Sequence, residues 1–212
     1  MIIRRAITIT LALANLCVFV VFVSGWIKPG AQNTKTIVRR LTLAKEPVDI
    51  SFKLKGQPLH ANHAVRANEG VSADEFDGDS DWVKDLTLQL RNTSGKTITY
   101  IQLNLHFPEV TSNGRTALQQ IFLGVDPDRK FSRPELRLAP NETVEIPLTD
   151  KYPNIKTLVE SVGKMAVGNV SKVWVEFHAA YFDDGTLFEA GTMFKRNPDQ
   201  TDPRKWVKID NP

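Results

Sequence analysis

The run Trp82-Val83-Lys84-Asp85-Leu86-Thr87-Leu88-Gln89-Leu90-Arg91-Asn92-Thr93-Ser94-Gly95-Lys96-Thr97-Ile98-Thr99-Tyr100-Ile101-Gln102-Leu103-Asn104-Leu105-His106-Phe107 decides the fold class. Leu86, Leu88 and Leu90 alternate with Thr87, Gln89 and Arg91; Ile101, Leu103, Leu105 and Phe107 alternate with Tyr100, Gln102, Asn104 and His106. A period of two is the mark of a half-buried strand, because successive side chains leave opposite faces. The polar, glycine-containing link Asn92–Lys96 between the two runs predicts a β-hairpin. Ile98 is out of phase with Ile101, so a bulge or a wider link must absorb the difference if both are buried.

The same alternation recurs along the chain. Strands are expected over Thr36–Leu43, Val48–Leu54, Leu118–Val125, Thr143–Leu148 and Val170–Phe182. In the last, Val173, Val175, Phe177, Ala179 and Tyr181 share one face, and Trp174, His178 and Phe182 the other, which predicts a central strand covered on both sides. Asp183-Asp184-Gly185-Thr186 is a tight hairpin signal, with Leu187–Phe194 as the returning partner. Ile155, Leu158, Val159 and Val162 follow a helical repeat after Pro153, with Asp150 or Asn154 as cap and Gly163 as the end. Leu59–Ser80 has no sustained period and reads as a long loop.

Residues 1–31 begin with Arg4 and Arg5 and continue into an uncharged apolar run, Ile7–Val23. The run is long enough for a single membrane span and also fits a cleavable signal peptide. Either way Arg4 and Arg5 stay inside and the rest is exported. The only cysteine, Cys17, lies in this segment, so no internal disulfide framework exists. The chain carries 27 Lys+Arg and 24 Asp+Glu, and its small basic excess resides in residues 1–31. The remainder is balanced and lacks the basic stripe that nucleic-acid binding requires.

The expected organisation is therefore a signal peptide or transmembrane anchor (1–31), a tether (32–35), a β-domain (36–195) and a tail (196–212) holding Trp206. The fold class is mainly β: an antiparallel β-sandwich with one short amphipathic helix and an N-terminal hydrophobic helix. Three stretches, Asn92–Ile98, Leu138–Leu148 and Phe182–Thr186, together resemble exported bacterial sandwich domains of the immunoglobulin-like or fibronectin-III-like kind. The resemblance implies that Asn92–Ile98 links two strands and that Leu138–Leu148 enters a mid-domain strand; it implies no functional residue.

Chemistry-bearing patterns are sparse. Asp77, Asp79 and Asp81 alternate as the first ligands of a calcium loop do. Such a loop wants glycine at its sixth position and glutamate at its twelfth, where this chain has Trp82 and Leu88. These three aspartates are the metal candidates, with calcium as their cation; no other cofactor is expected. His60 and His63 are spaced for a metal but want a third ligand. No Gly-x-Ser-x-Gly and no phosphate-cradling glycine loop occur. Trp82, Trp174, Phe182 and Trp206 are either core or a ligand platform. Asn92, Asn141 and Asn169 open glycosylation-type triplets, which would place all three at surface turns in a eukaryotic setting. The expected function is an exported, non-enzymatic module that binds a protein or polysaccharide partner at the cell envelope. The alternatives are a hydrolase with a site near the 59–81 acidic loop and a calcium-stabilised adhesion module.

Overall fold

A computed structural model describes residues 34–40, 46–59, 71–126, 134–199 and 205–209. The expected leader, the tether residues Gln32 and Asn33, and the His60/His63 pair lie outside the described residues. Twelve strands and one helix are formed among those described. The strands are β1 Thr34–Arg40, β2 Val48–Leu54, β3 Gln57–Pro58, β4 Val71–Asp77, β5 Leu86–Asn92, β6 Ile98–Ser112 and β7 Arg115–Gly124. They continue with β8 Thr143–Pro147, β9 Lys172–Phe182, β10 Thr186–Glu189, β11 Thr192–Arg196 and β12 Trp206–Ile209; the helix, α1, spans Tyr152–Gly163.

The smaller sheet has the order β3-β2-β5-β8 and is antiparallel throughout. In the larger, eight-stranded sheet β9 is the hub. On one side it pairs along its length with β6, which carries β7. Its other side is shared, with β1 parallel to the first half and β10 antiparallel to the second. β4 then flanks β1, while β11 and β12 extend from β10.

The apolar faces of both sheets join one buried cluster. Ile50, Phe52, Leu86, Leu88, Leu90 and Ile146 come from the smaller sheet, and Ile37, Ile101, Leu103, Leu105, Val173 and Val175 from the larger. Two sheets sharing one core fit a β-sandwich. Arg39 ties their margins together: its guanidinium donates to the carbonyls of Val48 and Ile50 and pairs with Asp49 at 2.6 Å and Glu46 at 3.5 Å. Ile155 and Val159 bury one side of α1 in the same core, where the helix packs on β6 and β7. The cap differs from expectation: Lys151 precedes α1 without a side-chain cap, and left-handed Lys164 (φ 50°) ends it after Gly163.

The opening stretch is not a hairpin. β5 pairs with β2 on one side and β8 on the other, so Leu88 lies between Phe52 and Ile146 and no edge remains for β6. Asn92–Lys96 instead carries the chain from one sheet to the other. Asn92 follows Leu86, Leu88 and Leu90 in the inward phase and is fully buried. Its amide donates to the carbonyls of Lys96 (2.8 Å) and Leu138 (2.9 Å), and its oxygen accepts from the Ser94 amide (2.9 Å) and hydroxyl (2.7 Å). A buried asparagine with all these partners supplies the turn that a tight hairpin would otherwise make from backbone alone. Burial also removes Asn92 from the surface positions expected of the three glycosylation-type asparagines, whereas Asn141 and Asn169 are exposed.

Other expectations are corrected by pairing. Val71–Asp77, expected within a long loop, is a strand because Arg40 to Thr34 offer it a complete antiparallel partner. β6 extends beyond the alternating run that ends at Phe107, continuing to Ser112 after a register shift before turning back into β7. Leu187–Phe194 is two strands folded at Ala190-Gly191, and Trp206–Ile209, expected in a tail, pairs with β11. The bulge required by Ile98 is present, for Thr99 is the extra residue between the pairs Ile98–Phe182 and Tyr100–Tyr181.

Replacing Asn92 by alanine removes the side-chain donor to the buried Leu138 carbonyl and one of two to the Lys96 carbonyl, and leaves the Ser94 amide without its acceptor. We expect Asn92→Ala to lower stability by about 1–3 kcal/mol, read from the urea midpoint with an unchanged denaturant slope. A loss below about 0.5 kcal/mol, the scatter of ordinary surface substitutions, would show that backbone hydrogen bonds alone hold the crossing.

Candidate functional site

A second bulge shapes the outer face of the larger sheet. Gln102 pairs with Ala179 and Leu103 with Phe177, leaving His178 as an extra residue on β9. The inward set is consequently Val173, Val175, Phe177, Ala180 and Phe182. Ala179 and Tyr181, expected on the Val173 face, turn to the opposite face, and Phe182 turns inward. A bulge re-aims every side chain beyond it by one step.

Tyr181 thereby meets Tyr100 of β6, edge to face at 5.3 Å between ring centres, and Trp206 of β12 at 5.5 Å. Phe122 of β7 stacks on Tyr100 at 6.4 Å, and the Arg196 guanidinium lies 5.0 Å from the Trp206 ring centre. Tyr100 is 2% exposed, although it faces away from the core. Tyr100, Tyr181, Leu187 and Trp206 line a cleft of about 360 Å³ with Gln102, Gln120, Asp126, His178 and Glu189. The cleft is therefore an aromatic wall with a mostly polar border, and its size is within the range of small-ligand sites.

Hydrogen-bonding side chains continue along the same face. Asn104 sits between Gln120 of β7 and Glu176 of β9; it is 7% exposed and its Oδ1 has no hydrogen-bond partner. His106 Nε2 lies 2.9 Å from Glu176, and His178 Nε2 lies 3.5 Å from Glu189. These strands thus combine aromatic rings, amides, imidazoles and carboxylates on one surface.

Two larger spaces have a different chemistry. One, of about 520 Å³, opens beside the Asn92–Lys96 crossing and is floored by the core residues Phe182 and Phe188. Its rim cation is engaged, since Lys96 Nζ lies 2.7 Å from Asp184 and donates to the Thr186 hydroxyl. The other, of about 570 Å³, lies between the margin of β7 and Pro134–Leu136. In neither do polar side chains from several strands converge on an aromatic wall as they do in the outer-face cleft.

The sequence candidates fall elsewhere. Asp77 ends β4 opposite Thr34. Asp79 accepts from Lys55 Nζ at 2.6 Å and from the Asp81 amide at 2.9 Å. Asp81 is exposed in the turn before β5, where its carbonyl accepts from the amides of Lys84 and Asp85. Among the described residues no group of three His, Cys, Asp or Glu side chains is placed to hold a metal ion. Trp82 is core: fully buried, it donates from Nε1 to the Val170 carbonyl at 2.9 Å. Of the four aromatic candidates, Trp206 alone lines the cleft. Tyr100, Tyr181, Gln102 and Gln120 were missed, and the one local signal was Tyr100 and Gln102 at alternate positions opposite Ile101 and Leu103.

A scan against protein-family models and searches of curated proteins and of solved structures found no match.

The acidic residues bear on stability. The Lys55 hydrogen bond, helped by the Asp81 amide, lowers the pKa of Asp79, and Lys53 does the same for Glu145. Partial burial works upward on Asp184, but hydrogen bonds from Lys96 and Thr186 outweigh it and its pKa is lowered. A carboxyl depressed in the folded state stabilises the fold above its unfolded pKa, and that contribution disappears as pH falls through the folded value. Stability should therefore drop as pH is lowered below about 4. Lys96→Met, which removes the partner of Asp184, should flatten that drop; urea midpoints across pH measure both, and an equally steep profile in the variant would refute the assignment.

Proposed function

We propose that the protein is an exported, non-enzymatic sandwich module of the immunoglobulin-like or fibronectin-III-like kind that binds a protein or polysaccharide partner at the cell envelope. The observation that carries the binding role is the outer-face cleft, where Tyr181, Trp206, Gln102, Gln120, Asp126, His178 and Glu189 converge from five strands and one loop. Export rests on the charged and apolar character of residues 1–31. Released by cleavage or held by that segment, the domain presents its outer face to the envelope.

The strand order supports the immunoglobulin-like reading. In that fold the first, second and fifth strands share one sheet while the third, sixth and seventh share the other. β2, β5 and β8 correspond to the former set, and β6, β9 and β10 to the latter, with β7 as the added strand beside β6. The Asn92–Lys96 crossing is then the link from second to third strand, which is compatible with the strand-to-strand link that the sequence resemblance implies. α1 occupies the connection between the fifth and sixth strands.

A photo-activatable cross-linking residue placed at Gln102, on the outer face of the larger sheet, should label envelope material in cells expressing the full chain. The same group at Gln89, on the exposed side of the smaller sheet, serves as the control and should not. Equal labelling from both positions, or none from Gln102, would overturn the assignment of the larger sheet's outer face as the binding surface.

A further inference from the structure

We propose that the outer-face cleft takes an uncharged saccharide; this rests on the reading of that face as the binding surface and names the ligand class. The wall comes first. Tyr181 and Trp206 are half-buried and line the cleft, one face of the Trp206 ring lying under the Arg196 guanidinium, while buried Tyr100 and Leu187 form the apolar backing. A pyranose ring has a C–H face that is apolar and a rim of hydroxyls that is not, and it matches a surface where an aromatic wall is bordered by polar groups.

The border has the right chemistry for hydroxyls. Each sugar hydroxyl donates one hydrogen bond and accepts others, so its partners must supply both roles at close range. The Gln120 amide offers both, Gln102 donates from its nitrogen while its oxygen already accepts from the Tyr100 hydroxyl at 3.4 Å, Asp126 carries acceptor oxygens, and Glu189 and His178 Nε2, 3.5 Å apart, add a carboxylate and an imidazole.

Other ligand classes fit less well. An extended peptide recognised through its backbone needs a free strand edge. The cleft lies on a sheet face, where β6 and β9 already pair with neighbours on both sides. An anionic ligand would meet Asp126 and Glu189, and among the described residues no lysine or arginine lines the cleft, Arg196 being held over Trp206. A quaternary ammonium ion wants several ring faces turned toward one centre. Here the rings of Tyr100, Tyr181 and Trp206 pack edge to face on each other, at 74° and 65°, and Arg196 already lies over Trp206.

The test is calorimetric titration of the full chain with hexasaccharides of glucose and of N-acetylglucosamine, a uronic-acid hexasaccharide and choline. Trp206 fluorescence serves as the local readout. Binding of an uncharged hexasaccharide, with a fluorescence change lost in Trp206→Phe and about tenfold weaker binding in Gln120→Ala, is the expected result. Gln120 is exposed, so its variant keeps the test meaningful even if changes at Trp206 disturb β12. Preference for the uronate or choline, no binding of any sugar, or binding unaffected by Gln120→Ala would overturn the proposal. If sugars fail while the cross-linker at Gln102 still labels a partner, the ligand class is wrong and the binding face stands. If Gln102 labels nothing as well, both fall.

Discussion

The side chain of Asn92 holds the place where the chain leaves one sheet for the other. Four hydrogen bonds converge on a single buried amide, two donated to carbonyls and two accepted from Ser94. One of the acceptors, the Leu138 carbonyl, also receives the Ile98 amide, so the crossing is joined to the segment that leads into β8. Further ties run from Thr93 N to the Pro47 carbonyl and from Asp183 N to the Thr97 carbonyl. The crossing is thus bonded to the start of β2, the entry to β8 and the end of β9. A buried polar group is stabilising only when its hydrogen-bonding capacity is used. At this position it is used by partners from distant parts of the chain, which makes the crossing a tertiary element.

From that corner the two sheets take up their apolar faces, and β9 receives the larger share of neighbours. Its first half is sandwiched between β6 and β1 and its second between β6 and β10. The two bulges, at Thr99 and His178, adjust the phases of β6 and β9 so that Ile98 with Phe182 and Ile101 with Ala180 are both inward pairs. The cost of that adjustment falls on the opposite face, where Tyr100 and Tyr181 are brought together outside the core. Core packing and the outer-face cleft are thereby consequences of the same two extra residues.

The candidate site was poorly legible in the sequence. Asp77, Asp79 and Asp81 drew notice because they are near one another in sequence, yet Asp79 is committed to Lys55 and the turn. The cleft residues are spread from Tyr100 to Trp206, and none forms a motif with its chain neighbours. Their assembly requires knowing that β12 returns to β11 and that β9 slips by one residue at His178. A period-two pattern read straight through Val170–Phe182 hides such a slip, since the pattern on each side of a bulge is intact.

By itself the sequence determined most of the strands, β4 and β12 excepted, that one amphipathic helix interrupts them, that Ile98 demands a bulge, and that the chain after residue 31 has balanced charge. These are local properties: periodicity, turn chemistry and composition act within a few residues. Only the tertiary structure decided that β5 and β6 lie in different sheets, that Val71–Asp77 pairs with β1, and that Tyr181 and Trp206 face a common cleft. The physical reason is that alternation specifies a buried face and an exposed face but not the strand alongside. Pairing is chosen by hydrogen-bond edges and core volume that exist only once the remote partners have arrived.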